Sequence, residues 1–194
     1  MFNTIFSSYL YQKNLNLDLK SIHKHISQTQ KKDKSGVVKT NNKGGWQSQK
    51  FREINNGVKP LFNFLNTAAN EIKNKIGYQH NLKLQNYWYN INYQYSFNEP
   101  HTHLGIPLDT VISGVFYVES PKNCGRLIFK RNDEVVSLMY PQERVSNYNE
   151  HSSSTWVVTP VKNLCVLFPP YLEHHVEPNL NKEKRISISF NYGT

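Results

Sequence analysis

The sequence has little cysteine, few acidic residues for its number of basic ones, and no long apolar run. Two cysteines, Cys124 and Cys165, supply no disulfide framework and no paired CxxC spacing for zinc, so ordinary thiols in a reducing compartment are expected. No stretch approaches the roughly 18 consecutive apolar residues of a membrane span, and the opening MFNTIFSSYLYQKN has neither the basic region nor the small-residue cleavage site of a signal peptide. A cytoplasmic protein with no membrane role is the expectation. Only 19% of the 194 residues are charged, while 13% are aromatic. That balance excludes disordered and fibrous classes and makes Tyr and Phe the main source of buried surface. The length fits one domain, expected to span 1–194.

The formal charge of +9 raises the question of a nucleic-acid partner. Residues 1–60 hold 11 Lys/Arg against 3 Asp/Glu, whereas the remaining residues hold 12 against 11. The surplus therefore belongs to the N-terminal segment. No basic-aromatic stripe accompanies it, so nucleic acid is compatible with the charge but not favoured over a solvated lysine-rich face.

Hydrophobic spacing divides the chain near residue 80. Leu19, Ile22 and Ile26 predict a short helix within 17–30, closed by a loop over Lys31–Lys34. Pro60, Leu61, Leu65, Ala68, Ile72 and Ile76 predict a second helix, with Gly77 as its stop. Beyond about residue 82 the period becomes two. Strands are expected at Leu84–Ser96, Thr110–Glu119, Gly125–Lys130, Val135–Tyr140, Ser154–Val158, Asn163–Phe168 and Arg185–Tyr192. This predicts a mainly β sandwich or jelly roll, 81–194, buttressed by a basic helical part, 1–80. On the first long strand Tyr87, Tyr89, Ile91, Tyr93 and Tyr95 are expected to share the helix-facing side, with Asn90 and Asn92 on the pocket side.

Three short segments carry chemistry. In His101-Thr102-His103 the alternation of an extended chain aims both imidazoles at one ion and turns Thr102 away. In His174-His175 the same alternation admits only one inward ring, leaving the two as alternatives. Together they offer facial three-point coordination. Arg185-Ile186-Ser187 opens the last strand with a guanidinium and a hydroxyl on one face, a pairing suited to a carboxylate, although an edge-strand ion pair with Glu177 or Glu183 is the bland alternative.

These segments also carry a resemblance. Trp88–Asn92, Pro100–His103, Ile112–Val118, Leu167–His174, Val176–Asn179 and Arg185–Asn191, with Gly44–Ser48 upstream, resemble a 2-oxoglutarate/Fe(II) oxygenase family common in marine bacteria and phages. The resemblance implies a double-stranded β-helix (a cupin-like jelly roll) with two or more N-terminal helices. It further implies Fe(II), 2-oxoglutarate and O2 as cofactor and cosubstrates, and oxidation, commonly hydroxylation, with release of succinate and CO2. By position it assigns His101, His103 and His174 to the metal and Arg185 and Ser187 to 2-oxoglutarate, with Asn92 beside it. The glycine-rich loop with Trp46 is expected in a lid. The superfamily's usual second ligand is a carboxylate, and His103 stands there instead, with Asp109 as a reserve. That departure keeps open a three-histidine cupin dioxygenase that does not use 2-oxoglutarate, and a non-catalytic metal-binding module. The substrate, a small molecule or a protein side chain, is not specified.

Overall fold

The computed structural model describes residue 1, residues 3–37 and residues 41–194. Two antiparallel sheets face each other. Eleven strands are described: β1 Tyr11–Asn14, β2 Asn42–Lys43, β3 Trp46–Gln47, β4 Lys83–Asn92, β5 Phe97–His101, β6 Thr110–Glu119, β7 Leu127–Lys130, β8 Thr155–Val158, β9 Leu164–Phe168, β10 His174–Val176 and β11 Arg185–Gly193. The larger sheet has the order β1-β9-β6-β11-β4-β3, the smaller β2-β5-β10-β7-β8. Helices α1 (Lys20–Lys32), α2 (Lys59–Lys75), the short α3 (Glu134–Met139) and a 3-10 turn at Gln142–Arg144 complete the described regular elements.

The period-two pattern of the long strands explains the layering. On β11, Ile188, Phe190 and Tyr192 point outward onto α1 and α2, where they join Ile22, Ile26, Leu61, Leu65 and Ile72 in one buried cluster. Arg185, Ser187, Ser189 and Asn191 point inward. A smaller apolar cluster, including Tyr117, Leu127, Phe129, Val166 and Phe168, lies between the sheets. Gly114 on β6 is needed because Phe190 of β11 lies across it. A Cβ there would meet the Phe190 ring at 2.5 Å and the Val166 carbonyl at 2.7 Å. Gly114→Ala is therefore expected to cost about 1–3 kcal/mol as overpacking. Thermal unfolding should report it as a fall of about 2–4 °C for each kcal/mol.

Several sequence expectations shift. Helix α1 continues through Lys31 and Lys32, where a loop is expected, its end fixed by the Asp33 N–H donating to the Thr29 carbonyl at 3.1 Å. Val135–Tyr140, expected as a strand, is instead the site of α3. Asp133 caps that helix by accepting from the Val135 N–H at 3.2 Å, Pro141 follows it, and the segment pairs with no strand among the described residues. The expected strand Leu84–Ser96 stops at Asn92, where β4 ends. Tyr95, with φ 66°, turns the chain between β4 and β5, so Tyr95 is exposed and does not share the face of Tyr87 and Tyr89. The N-terminal part is not purely helical, since β1, β2 and β3 add to the edges of the sheets.

Candidate metal and cosubstrate centre

The histidines are brought together by pairing in the smaller sheet. His101 lies opposite His174, which lies opposite Phe129 on its other side. The His103 N–H donates to the Pro170 carbonyl at 2.9 Å, holding the segment beyond β5 against the loop that leads into β10. His174 is buried and His175, on the opposite face, is half-buried, which resolves the alternative left by the sequence. Thr102 is exposed, as the alternation requires.

Each ring has its tautomer set by a neighbour. Backbone carbonyls only accept, so Nδ1 of His101 donates to Glu99 (2.8 Å) and Nδ1 of His174 donates to Leu172 (2.9 Å). His103 Nδ1 donates to Asn191 Oδ1 at 2.9 Å. That same oxygen accepts from the Ser113 hydroxyl at 2.8 Å, while Asn191 Nδ2 donates to Asn86 Oδ1 at 3.2 Å. All three Nε2 lone pairs are thereby left for a ligand, and one ring nitrogen from each histidine lies within 4.8 Å of the others. Burial pushes all three rings toward the neutral form, His103 down to about 4, which is the form that binds metal. Asp109, just before β6, lies outside this cluster.

Arg185 sits at the inner end of the same pocket. It is 1% exposed and stands opposite Asn92 across β11 and β4, with Ser187 opposite Asn90 and Tyr117. Its Nη1 donates to the Cys124 and Gly125 carbonyls, whereas Nη2 is buried with no hydrogen-bond partner. Glu177 is not its counter-ion: that carboxylate holds Arg126 through bonds of 2.7 and 2.6 Å. A buried guanidinium with one idle arm is costly unless an anion meets it. Gly125, at φ 87°, makes the seat, because a Cβ there would run into the Glu177 carbonyl and lie 2.8 Å from Arg185 Nη1.

The pocket between the two ends has about 620 Å³, open mouth included, and its walls include Asn92, Asn98, Tyr117, Ser187 and Ser189. The residues fit the group implied by the sequence. Three convergent neutral imidazoles suit Fe(II), and the idle Arg185 arm suits the far carboxylate of a dicarboxylate. Trp46 is not part of a lid. It is buried in the helix-side core with Nε1 donating to the Asp33 carbonyl at 2.8 Å, and its neighbour Gln47 lines the pocket.

Two features escaped sequence reading. Asn191 has no signal beyond its place on the polar face of β11. Asn179, fully buried, donates to the carbonyls of Asn92 (3.1 Å) and Glu183 (2.8 Å), tying the approach to Arg185 onto the end of β4. Asn191→Leu is expected to keep the fold and weaken iron binding about 10–100-fold, since His103 loses the acceptor that fixes its ring. Competition titration of the metal-free protein with Fe(II) measures this.

Solved structures share the fold. A Pseudomonas putida prolyl-4-hydroxylase is 13% identical, with 95% of this chain and 91% of that one covered at a TM-score of 0.66. A viral collagen prolyl hydroxylase from Paramecium bursaria Chlorella virus-1, solved as its 2-oxoglutarate complex, is 11% identical, covering 95% of both chains at 0.60. HygX from Streptomyces hygroscopicus, with nickel and 2-oxoglutarate bound, is 13% identical, covering 96% and 83% at 0.57. At such identities the likeness establishes the fold, the double-stranded β-helix of 2-oxoglutarate/Fe(II) oxygenases. No curated protein matched. A family model described as "Putative 2OG-Fe(II) oxygenase" matches residues 86–191, more than half of the chain. The chain belongs to that family and is an Fe(II)- and 2-oxoglutarate-dependent oxidoreductase. The three-histidine cupin and the non-catalytic module give way to that membership. Among the described residues no helix is long and apolar enough to cross a membrane.

Proposed function

We propose that His101, His103 and His174 hold the iron, that Arg185 and Ser187 grip the far carboxylate of 2-oxoglutarate with Asn92 beside it, and that the enzyme hydroxylates a C–H bond presented at the pocket mouth. The observation that carries this reading is the buried, unpartnered Nη2 of Arg185 at the inner end of the cavity whose outer end holds the three imidazoles. A dicarboxylate bound between them would set its far carboxylate at Arg185 and leave its keto-acid end to the metal that the three imidazoles would hold.

Bound iron with 2-oxoglutarate and O2 supplies the oxidation, giving succinate, CO2 and a hydroxylated product. The protein's part is positioning. The Glu99 and Leu172 carbonyls and Asn191 keep the three Nε2 atoms aimed at one point. Arg185 orients the cosubstrate, assisted by the Ser187 hydroxyl two residues along the same strand face. Phe168, Leu127 and Val176 line the pocket with apolar surface and limit water near the reacting atoms. With three imidazoles and no protein carboxylate, the site carries one negative charge fewer than the superfamily's usual set.

The test is anaerobic addition of Fe(II) and then 2-oxoglutarate to the metal-free protein. The visible metal-to-ligand charge-transfer band of the chelate is expected, and iron bound without that band would overturn the assignment of the cosubstrate site. As to what is oxidised, the solved relatives include a prolyl hydroxylase in complex with a peptide fragment. A small molecule or a protein side chain is the class of substrate proposed here.

A further inference from the structure

Because β5, β10 and β7 run antiparallel with His101, His174 and Phe129 abreast, three loops emerge at the histidine end. They are the loop leaving β5 (102–109), the loop leaving β7 (131–154, including α3) and the loop entering β10 (169–173). Hydrogen bonds join them: His103 N–H to Pro170, and Asn132 Nδ2 to Tyr171 at 3.4 Å. Both outer loops expose aliphatic side chains. Leu104, Ile106 and Leu108 are 51%, 101% and 75% exposed, and Val135, Leu138 and Met139 are 59%, 78% and 60% exposed.

Next to the first of these lips lies a groove of about 1370 Å³, open to solvent, that passes His101 and His103. Its lining is polar and includes the amides Gln85 and Asn86, the two cations Lys50 and Arg52, and the carboxylate of Asp109. Leu104 belongs to that lining, whereas Ile106, Leu108 and the aliphatic side chains of α3 stand outside it, beyond the reach of a molecule small enough to sit within the groove. They mark a surface for something longer.

We infer that the substrate is a polypeptide segment, aliphatic on both sides of the oxidised residue and acidic where it passes Lys50 and Arg52. This rests on the oxygenase reading above. Amide side chains in the groove pair with peptide groups, the two lips take aliphatic side chains, and the two cations select acidic ones. Nucleic acid is disfavoured because bases need free aromatic faces. The groove's aromatic, Trp88, has Lys50 over its ring at 5.1 Å and His103 at 5.9 Å. A lipid surface leaves the amide lining unsatisfied. Turnover converts one C–H of the segment to C–OH. One atom of O2 goes to that hydroxyl and the other to succinate, with 2-oxoglutarate losing CO2.

The experiment uses the full chain loaded anaerobically with Fe(II) and 2-oxoglutarate, its charge-transfer band recorded first. Fluorescence anisotropy then measures four labelled probes: a degenerate peptide pool rich in Leu, Val and Glu, the same pool with Lys in place of Glu, a random single-stranded oligonucleotide, and phosphatidylcholine/phosphatidylserine vesicles. The acidic pool is expected to bind about tenfold or more tightly than the basic one, a difference lost in Lys50→Glu/Arg52→Glu. Leu104→Ser/Leu138→Ser is expected to weaken the acidic pool by at least as much, with the band unchanged in both variants. Tighter binding of the oligonucleotide or vesicles, equal binding of the two peptide pools, no binding, or indifference to the variants overturns the inference while a band leaves the oxygenase reading standing. Absence of the band removes both.

Discussion

Arg185→Ala is expected to raise the dissociation constant for 2-oxoglutarate about 100-fold or more while leaving Fe(II) binding within a fewfold of wild type. The two effects separate because the guanidinium and the imidazoles occupy opposite ends of one pocket. Arg185 is buried among neutral groups, its Nη1 shared between two carbonyls and its Nη2 unpaired. A carboxylate reaching Nη2 satisfies a buried charge, and removing one member of such a pair costs about 3–5 kcal/mol. At about 1.4 kcal/mol per tenfold, that is at least 100-fold in affinity. Arg185→Lys should fall between, since one ammonium cannot both replace the fork that holds Cys124 and Gly125 and reach the ligand with the same geometry. The charge-transfer band, titrated with 2-oxoglutarate at fixed iron, reads the affinity directly. A variant that saturates at wild-type concentrations would show that the far carboxylate lies elsewhere, and Gly125 would lose its reason as the seat of this side chain.

The side chains that meet in the candidate site were more legible in the sequence than the scaffolding that brings them together. Arg185 and Ser187 were legible because β11 alternates strictly between Ile or Phe and polar residues, and a polar face inside a closed sheet pair needs a polar occupant. His101 and His103 were legible by the same alternation. The strands that carry the histidines were not: β5 and β10 hold too few apolar residues to show a period, and β5 contains Pro100. Their extended form is imposed by pairing with each other and with β7. Val135–Met139 failed the other way, as an apolar run with strand composition that pairs with no strand among the described residues and is capped into a helix by Asp133. The choice between His174 and His175 depended on the direction of a three-residue strand, which only pairing fixes.

That pair provides the sharpest contrast available within one turn of chain. His174→Ala is expected to weaken Fe(II) binding by more than the roughly 10–100-fold typical of losing a supporting hydrogen bond, because it removes a proposed ligand atom. His175→Ala, one residue on and facing away, is expected to leave iron affinity unchanged. The direction follows from the alternation of β10 and from the Leu172 carbonyl, which holds the His174 Nδ1–H and turns Nε2 toward His101 and His103. His174 also packs against Phe168, with ring centroids 4.8 Å apart, so alanine leaves a small cavity as well as a missing ligand. His174→Gln keeps most of the volume and separates the two losses. Glutamine should restore thermal stability toward wild type without restoring tight metal binding, whereas a purely structural histidine would let both recover together. Isothermal titration of metal-free protein with Fe(II) under anaerobic conditions, paired with a thermal melt, measures both. Equal iron affinity in His174→Ala and wild type would place the third ligand outside β10 and dissolve the proposed triad.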